Sequence, residues 1–384
     1  MRRPTVCPAV LAAILAFAVP PAAQAQLGPV AVVPETAAFP FGKLQLTVLR
    51  DAAANAPNDA KVFGVDAGVA AVEKVLEDAG APAGQISLSV NVLLVRLPGH
   101  VVLVDTGYGT PRGILLASLA KAGIAPAAIT DVLITHGHGD HYGGAQMIAD
   151  RYRARVVASE IDWKMMETGL EFDSKLWDRP PKRDMSVKDG ETLKLGDTTI
   201  RFIITPGHTL GTISPVFDVR HGGKVHKVMI WGGTSFNFGR DMLRLDGYIA
   251  QTERMRKLAA EWGIDVPLSN HPGFDGTVAK LKARAAAPGA ANPFVSGQPV
   301  VDRAMRVLNT CARAQKARFL MTASGGTKDA YASTGTVVES LADAPPRLFP
   351  YSAVAEEHGG FCGHVEAQLR PGRSASVITL ADRR

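Results

Sequence analysis

The sequence lacks any long run of basic residues, and beyond its first 25 residues it lacks any long apolar run. Its 42 Lys and Arg residues exceed its 36 Asp and Glu residues by only six. A protein that mainly binds nucleic acid carries a basic patch or stripe, so this composition argues against that class. No later segment is apolar over the roughly 20 residues that a membrane-spanning helix needs. We therefore expect no nucleic-acid partner and, once the first 25 residues are removed, no membrane partner. The oligomeric state stays open.

The first 25 residues have the composition of a cleavable export signal. Arg2 and Arg3 form a positive start, Val10 to Val19 an apolar core, and Ala23-Gln24-Ala25 a small-x-small cleavage site before Gln26. The apolar core is too short to cross a bilayer as a stable helix. We expect residues 1–25 to be removed and the mature chain to be periplasmic or secreted.

Cysteine is also scarce, with three in the whole chain. Cys7 lies in the expected signal, so Cys311 and Cys362 would remain after export. An oxidising periplasm allows a disulfide between them. A bridge also requires a short Cα separation, which a sequence does not supply. Bonded and free cysteines therefore both remain possible.

Metal-ligand side chains, in contrast, are concentrated in one short segment. Residues 136–141 read His-Gly-His-Gly-Asp-His and directly follow the apolar run at 131–135. Neutral imidazole nitrogen and carboxylate oxygen are ligands that Zn²⁺ takes. The two glycines allow a tight turn, so that side chains of one loop can point at two different ions. The segment therefore predicts a metal site at the end of a buried strand.

Two further histidines have a similar setting. His208 follows an apolar strand closed by a Pro-Gly turn, and His271 follows the short apolar stretch 266–270. Loop residues that follow strands can converge on one edge of a sheet. The first cluster needs partners to complete its coordination, and these two histidines are the candidates.

Together these segments resemble the metallo-β-lactamase superfamily. The matching motifs are His-x-His-x-Asp-His at 136–141, Pro-Gly-His-Thr at 206–209, Leu-Val-Asp-Thr-Gly at 103–107 and Asn-His-Pro-Gly at 270–273. The resemblance covers residues from about 85 to about 310 and implies an α/β fold, a four-layer αββα sandwich, with two zinc ions at one sheet edge. By position, the implied ligands of the first zinc are His136, His138 and His208. Those of the second are Asp140, His141 and His271.

One departure from the usual motifs of the superfamily narrows the choice of subfamily. Lactonases, glyoxalases and phosphotriesterases of this superfamily carry an aspartate that bridges both zincs after a late strand. Here that strand, 225–230, runs into Trp-Gly-Gly-Thr-Ser at 231–235, with neither a carboxylate nor the cysteine of another lactamase subclass. This pattern resembles the third subclass of metallo-β-lactamases. Residues 91–95 and 104–109 fit the lactonase and organophosphate-hydrolase branches equally well.

The resemblance implies a zinc-dependent hydrolase with a small-molecule substrate, which uses a metal-bound hydroxide to open a cyclic amide, as a β-lactamase does. Two alternatives remain: a lactonase or other ester or phosphotriester hydrolase on the same fold, and a non-catalytic zinc-bound protein. Iron in place of zinc usually accompanies the acidic bridging ligand that this sequence lacks.

The same resemblance suggests roles for individual residues. Asp140 would bind the second zinc and orient the hydroxide, which makes it the catalytic candidate. Asp105 would accept an N–H from a metal-bound histidine or a loop amide. Thr234 and Ser235 would help to hold a substrate carboxylate or a bound water.

The remaining sequence divides around this domain, which we place at 61–320. Residues 26–60, rich in Ala and Pro, are predicted to be an exposed N-terminal arm, and residues 321–384 an extension without an assigned role. Apolar periodicity predicts helices at 66–79, 113–122, 245–262, 275–286 and 298–319, and strands at 86–97 and 101–104. The apolar side chains of residues 160–186 could cover the active site or pack on the sandwich. They are Trp163, Met165, Met166, Phe172 and Trp177.

Overall fold

The structure is a computed structural model, and it describes residues 28–34, 36–59, 68–78, 82–170, 177–236, 238 and 240–323. The expected signal at 1–25 lies outside the described residues, as do residues 324–384 of the C-terminal extension, Phe172 and Cys362. Cys311 is buried in the last helix and is disulfide-bonded, so the bonded alternative holds for this cysteine; Cys362, its expected partner, lies outside the described residues. In the described part of the chain, no helix combines the length and the apolarity needed to cross a membrane.

The described strands form two sheets. The first has eight strands in the order β1-β3-β4-β5-β6-β7-β8, with β2 paired to β3, and the second has five in the order β13-β12-β11-β10-β9. The strands of the first sheet are β1 Gly28–Val30, β2 Thr36–Phe41, β3 Leu44–Pro57, β4 Gln85–Leu97, β5 His100–Val104, β6 Asp131–Leu133, β7 Arg155–Ser159 and β8 Met185–Val187. Those of the second are β9 Thr192–Leu195, β10 Thr198–Ile204, β11 Ile213–His221, β12 Lys224–Trp231 and β13 Ile264–Ser269.

The described helices include five close to the positions that apolar periodicity predicts, at 69–78, 115–121, 242–262, 277–286 and 298–323. The described α-helices are α1 Val69–Asp78, α2 Leu115–Lys121, α3 Gly139–Tyr142, α4 Ala145–Tyr152, α5 Glu160–Thr168, α6 Met242–Trp262, α7 Pro272–Asp275, α8 Thr277–Ala286 and α9 Gln298–Ala323. Helix α6 begins earlier than predicted because the Asp241 side chain accepts the Arg244 N–H, at 3.1 Å. It ends at Gly263, whose φ of 74° suits glycine.

Three apolar clusters separate the layers. The first fills the space between the sheets and joins Val95 and Val104 of one sheet to Phe202 and Ile230 of the other. The second packs the first sheet against α2, α4 and α5, and the third packs the second sheet against α6 and α9. Helices therefore cover the outer face of each sheet. The predicted αββα sandwich is confirmed.

Strand β4 shows why the sequences of the central strands are continuously apolar. Val92 and Leu94 belong to the helix-covered cluster, whereas Leu93 and Val95 belong to the cluster between the sheets. Successive side chains of a strand point to opposite faces. Because both faces are buried, neither alternate set can be polar.

The predicted exposed N-terminal arm is wrong. Residues 36–57 form β2 and β3, and β3 pairs along its length with β4. Phe39 is 0% exposed, and its ring stacks on that of Phe294 with a centroid separation of 3.9 Å. The Ala and Pro content suggested exposure, but alternate side chains of this segment supply core residues, including Leu44 and Leu46. These strands are part of the sandwich.

We expect Phe39→Ala to lower the free energy of unfolding by about 3–5 kcal/mol, because it leaves a cavity against Phe294 in the core. Urea denaturation at unchanged m value measures this directly. Val33→Ala is the matched control, since Val33 is 66% exposed in the same predicted arm. Equal, small effects of the two variants would show that the segment is loosely attached.

Candidate metal centre

The sheet topology brings residues 136–141 to one edge of the first sheet. Strand β6 lies parallel between β5 and β7, and the chain leaves its end through Thr135 into the short helix α3. A Cβ at Gly137 would lie 2.4 Å from Met165 Cε, and one at Gly139 would lie 2.2 Å from Trp177 Cγ. At Gly139 the Trp177 side chain leaves no room for a Cβ, so glycine is required there. At Gly137 the nearest atom is the flexible end of Met165, which could move aside.

The imidazoles of His136, His138 and His208 form the first triad. Their ring centroids lie 4.5 to 4.8 Å apart, and His138 Nδ1 lies 3.1 Å from His208 Nε2. Nitrogens that share a tetrahedral zinc, at about 2.1 Å each, are separated by roughly 3.4 Å. The two rings thus face a common point, as ligands of one ion do.

Asp140, His141 and His271 form the second triad. Asp140 Oδ2 lies 3.2 Å from His141 Nε2, and the His141 and His271 ring centroids are 5.2 Å apart. In each triad, one possible ligand atom per residue lies within 4.8 Å of the others. The triads adjoin, because the His136 and His141 centroids are only 4.0 Å apart.

Protein groups also fix how these rings are turned. His208 Nδ1 donates to the Ser235 carbonyl at 2.9 Å, and His271 Nδ1 donates to the Ser89 carbonyl at 3.3 Å. His141 Nδ1 donates to Asp105 at 2.8 Å. Holding Nδ1 in this way sets the tautomer and leaves Nε2 as the ligand atom.

The fourth ring, that of His136, is held by Thr135. Its hydroxyl donates to Asp105 Oδ2 at 2.9 Å, so the hydroxyl oxygen can accept the N–H of His136 Nδ1, 3.0 Å away. His136 Nε2 is buried and has no hydrogen-bond partner within the described residues. A buried nitrogen left in this state is destabilising unless a further group binds it, and a metal ion at the first triad would do so.

The protonation states also fit a cation. Burial, then the neighbouring His141, lowers the pKa of His136 well below its usual value. Burial likewise lowers the pKa of His208 and of His271 to about 4. Burial alone would raise the pKa of Asp140, but the adjacent His141 outweighs it and holds that pKa below its usual range. Neutral imidazoles and an ionised carboxylate are the forms that bind zinc. His141 is the exception: burial alone would lower its pKa, but Asp140 and Asp105 outweigh burial and raise it to about 10. A zinc ion at the second triad must therefore displace a proton from His141.

Asp105 lies where its predicted role requires. Besides the His141 ring, this buried carboxylate accepts the Thr135 N–H at 2.7 Å and the Asn270 side-chain amide at 3.0 Å. Its backbone is left-handed, with φ of 65°, which is uncommon outside glycine. The carboxylate links the ends of β5, β6 and β13 behind the second triad.

Thr234 and Ser235 lie beside the first triad. The carbonyl and the hydroxyl of Ser235 approach His208 Nδ1, at 2.9 and 3.3 Å, which is the ring nitrogen opposite the ligand atom. Ser235 thus orients His208, and Thr234 is buried next to it. A substrate role for these two residues stays a prediction.

The apolar residues of 160–186 divide between the two alternatives. Trp163 is buried in the core and donates its indole N–H to the Met185 carbonyl at 2.9 Å, and Met166 packs in the same cluster. Trp177 instead stacks on His138, with ring centroids 5.1 Å apart. Trp177 therefore borders the metal centre, and Met165 and Met166 approach Gly137 in the metal loop, whereas Trp163 packs in the core.

Sequence reasoning missed three groups of the centre. Ser89 contributes only its backbone carbonyl, which leaves no mark in the sequence. Asn270 was visible within a motif but had no assigned role. Asp162 accepts hydrogen bonds from both loops of the first triad. The one local signal for it was Ser159, three residues earlier, which caps α5.

Comparison with known proteins agrees with this architecture. The family model of the metallo-beta-lactamase superfamily matches residues 87–222. A hydroxyacylglutathione hydrolase of Rhodopseudomonas palustris is 34% identical over 141 residues, which are 37% of this chain and 45% of that protein. An uncharacterised protein of Mycobacterium tuberculosis is 30% identical over 186 residues, 43% of this chain and 80% of that protein. The chain thus spans less than half of the hydroxyacylglutathione hydrolase.

Solved structures show the same fold. A subclass B3 metallo-beta-lactamase of Bradyrhizobium japonicum has a TM-score of 0.53 at 27% identity, covering 61% of this chain and 89% of that one. A mutant metallo-beta-lactamase from Legionella gormanii has a TM-score of 0.57 at 18% identity, covering 77% of this chain and 99% of that one. The motifs, the sandwich, the two triads and these relatives agree, and the chain belongs to the metallo-β-lactamase superfamily.

Proposed function

We propose that the protein is a zinc-dependent hydrolase that opens a cyclic amide, as β-lactamases do, with one zinc ion at each triad. The observation that carries this proposal is the convergence of six ligand-type side chains in two adjoining triads. Four of the five imidazoles have Nδ1 held by a protein group. Such pre-orientation is typical of a working metal site rather than a decayed one.

The chemistry follows from the ligand set. A zinc ion held by His136, His138 and His208 would act as a Lewis acid and lower the pKa of a coordinated water to about 7. The Asp140 side chain is 20% exposed, so its carboxylate reaches the mouth of the site, where it can orient a coordinated water and accept a proton from it. Asp105 holds the His141 ring that contacts Asp140, which keeps the carboxylate in place during proton transfer.

The turn after β12 favours a hydrolase that opens cyclic amides over the hydrolases that carry a bridging aspartate. A Cβ at Gly232 would lie 2.0 Å from the Ile213 carbonyl oxygen, and one at Gly233 would lie 2.4 Å from His208 Cβ. A side chain at either position would clash with its neighbours, so neither can carry a bridging carboxylate. The 27% identical subclass B3 structure supports the same assignment.

A second candidate is an ester or thioester hydrolase on the same scaffold. The curated hydroxyacylglutathione hydrolases favour it, since one is 38% identical over 120 residues. Those residues make up only 39% of that relative. The comparison therefore gives no information on the rest of that protein. The missing bridging carboxylate is the observation against this candidate.

The experiment is a hydrolysis panel of the zinc-loaded protein. We expect turnover of a penicillin and a carbapenem to exceed turnover of an acyl lactone, a phosphotriester and a hydroxyacyl-glutathione thioester. His136→Ala, prepared identically, controls for a contaminating hydrolase. Activity on the lactone or the thioester, with none on either β-lactam, would replace the first candidate by the second.

We also propose that the enzyme acts after export, in the periplasm or outside the cell. The composition of residues 1–25 supports this location.

A further inference from the structure

A buried carboxylate outside both triads has no role in the chemistry described above. Asp162, in the first turn of α5, is 1% exposed. Its Oδ2 accepts the Gly137 N–H and the Thr209 hydroxyl, both at 2.8 Å. Its Oδ1 accepts the Gly211 N–H at 2.9 Å.

These donors belong to the two loops that carry the first triad. Gly137 lies between His136 and His138, and Thr209 directly follows His208. The two loops are about 70 residues apart in the sequence, as the pairing of His138 with His208 shows. A single carboxylate therefore ties the backbone of one loop to the side chain and backbone of the other.

Gly211 lies so close to Asp162 that a larger residue would not fit at position 211. A Cβ at Gly211 would lie 2.3 Å from both Asp162 Oδ1 and Ser159 Oγ. Ser159 Oγ in turn accepts the Asp162 N–H at 3.0 Å, which begins α5 at this point. The carboxylate is thus fixed from its own helix as well as by the loops.

Burial of Asp162 has an energetic consequence. Burial raises its pKa to about 6, although Thr209, Gly137 and Gly211 each lower it by hydrogen bonding. At neutral pH the group is therefore mainly ionised. A buried charge is destabilising unless its hydrogen bonds are made, so displacement of either loop is strongly opposed.

The second triad is oriented by other groups. Asp105 and the Ser89 carbonyl hold His141 and His271, and neither contacts the donors of Asp162. A change at Asp162 should consequently act on one ion and leave the other in place.

We propose that Asp162 is a positioning residue that holds the two loops of the first triad in register and so sets the affinity of that triad for zinc. This inference rests on the proposed function only in requiring that the first triad binds a metal ion. It does not depend on which substrate the enzyme opens.

The test compares Asp162→Asn and Asp162→Ala with a matched control. Asp131→Asn also changes a buried carboxylate, but at the opposite end of β6, where Asp131 contacts Arg155 and Thr130. Each full-length protein is loaded with zinc or with cobalt. Metal content is followed against a graded chelator, and the cobalt absorption spectrum reports the geometry of each ion.

We expect the Asp162 variants to bind one of the two ions about 10–100-fold more weakly, the usual effect of losing a group that orients a ligand. The cobalt band of that ion should change while the other band is retained. Asp131→Asn should keep the wild-type affinity for both ions. Thr209→Val should reproduce the weakening without altering Asp162, and Thr209→Ser, which keeps the hydroxyl, should restore binding.

Several outcomes would overturn the inference. One is wild-type affinity and spectrum in both Asp162 variants. Another is equal loss of both ions in the Asp162 variants and in Asp131→Asn, which would mean a general loss of folding. A wild-type protein that binds two ions but opens no cyclic amide would contradict the proposed function and leave the Asp162 result standing. A wild-type protein that binds no ion would overturn both.

Discussion

Replacing His136 with alanine should abolish measurable turnover and remove one zinc ion from each chain. His136 Nε2 is a buried nitrogen with no other partner in the described structure, so we assign it to the metal alone. Without it, only His138 and His208 remain in the first triad, too few for a tight zinc site. The loss should exceed the roughly 10–100-fold that follows removal of an outer orienting group.

Elemental analysis of the purified variant, together with kcat on a β-lactam, measures both effects. His100→Ala is the matched control. His100 begins β5, at the end of the strand away from Asp105, and its Nδ1 lies 3.6 Å from Asp131 Oδ2. We expect that control to keep its zinc and its activity. A zinc-replete and active His136→Ala enzyme would show that the first triad does not bind the metal used in turnover.

Asp140→Asn is expected to lower kcat by about 10²–10⁴-fold, the usual contribution of a positioned acid or base. The amide has nearly the same size and keeps an oxygen that can contact His141, but it cannot accept a proton at neutral pH. Zinc at the first triad should remain, because Asp140 belongs to the second. The measured quantities are kcat on the best substrate and zinc content per chain.

Asp178→Asn provides the control for this change. Asp178 is an exposed acid that pairs with Arg112 at 3.0 Å. Its backbone carbonyl accepts a hydrogen bond from the hydroxyl of Tyr142, the last residue of α3. The same substitution there should leave kcat within about twofold of wild type, as for most surface changes. An Asp140→Asn enzyme with near wild-type kcat would remove Asp140 from the proton-transfer step.

The residues of the two triads are predictable mainly because their signal is local. Residues 136–141 place four ligand-type side chains in one loop, and Trp177 leaves no room for a side chain at Gly139. The prediction of His208 and His271 needed an additional step, namely that loops which follow neighbouring strands converge. That step was sufficient here because β6, β10 and β13 all end at the same edge of the sandwich.

Other parts of the centre could not be predicted, because they depend on contacts between distant residues. Asp162 meets Gly137 and Gly211 only after the two loops have folded against α5. Strand β3 is stabilised by pairing with β4 and by burial of its alternate side chains, whereas its local composition resembles an exposed segment. Strand pairing depends on cross-strand neighbours more than on intrinsic preference, which explains why the N-terminal prediction was wrong.

The central claim is that two separate triads each hold one zinc ion. Native mass spectrometry of the wild-type protein, His136→Ala and His271→Ala, after zinc loading and removal of loosely bound metal, tests it most directly. We predict two ions in the wild type and one in each variant, with chelator sensitivities that differ between the two variants. A wild-type protein that holds a single ion, or a variant that retains both, would contradict the assignment of one ion to each triad.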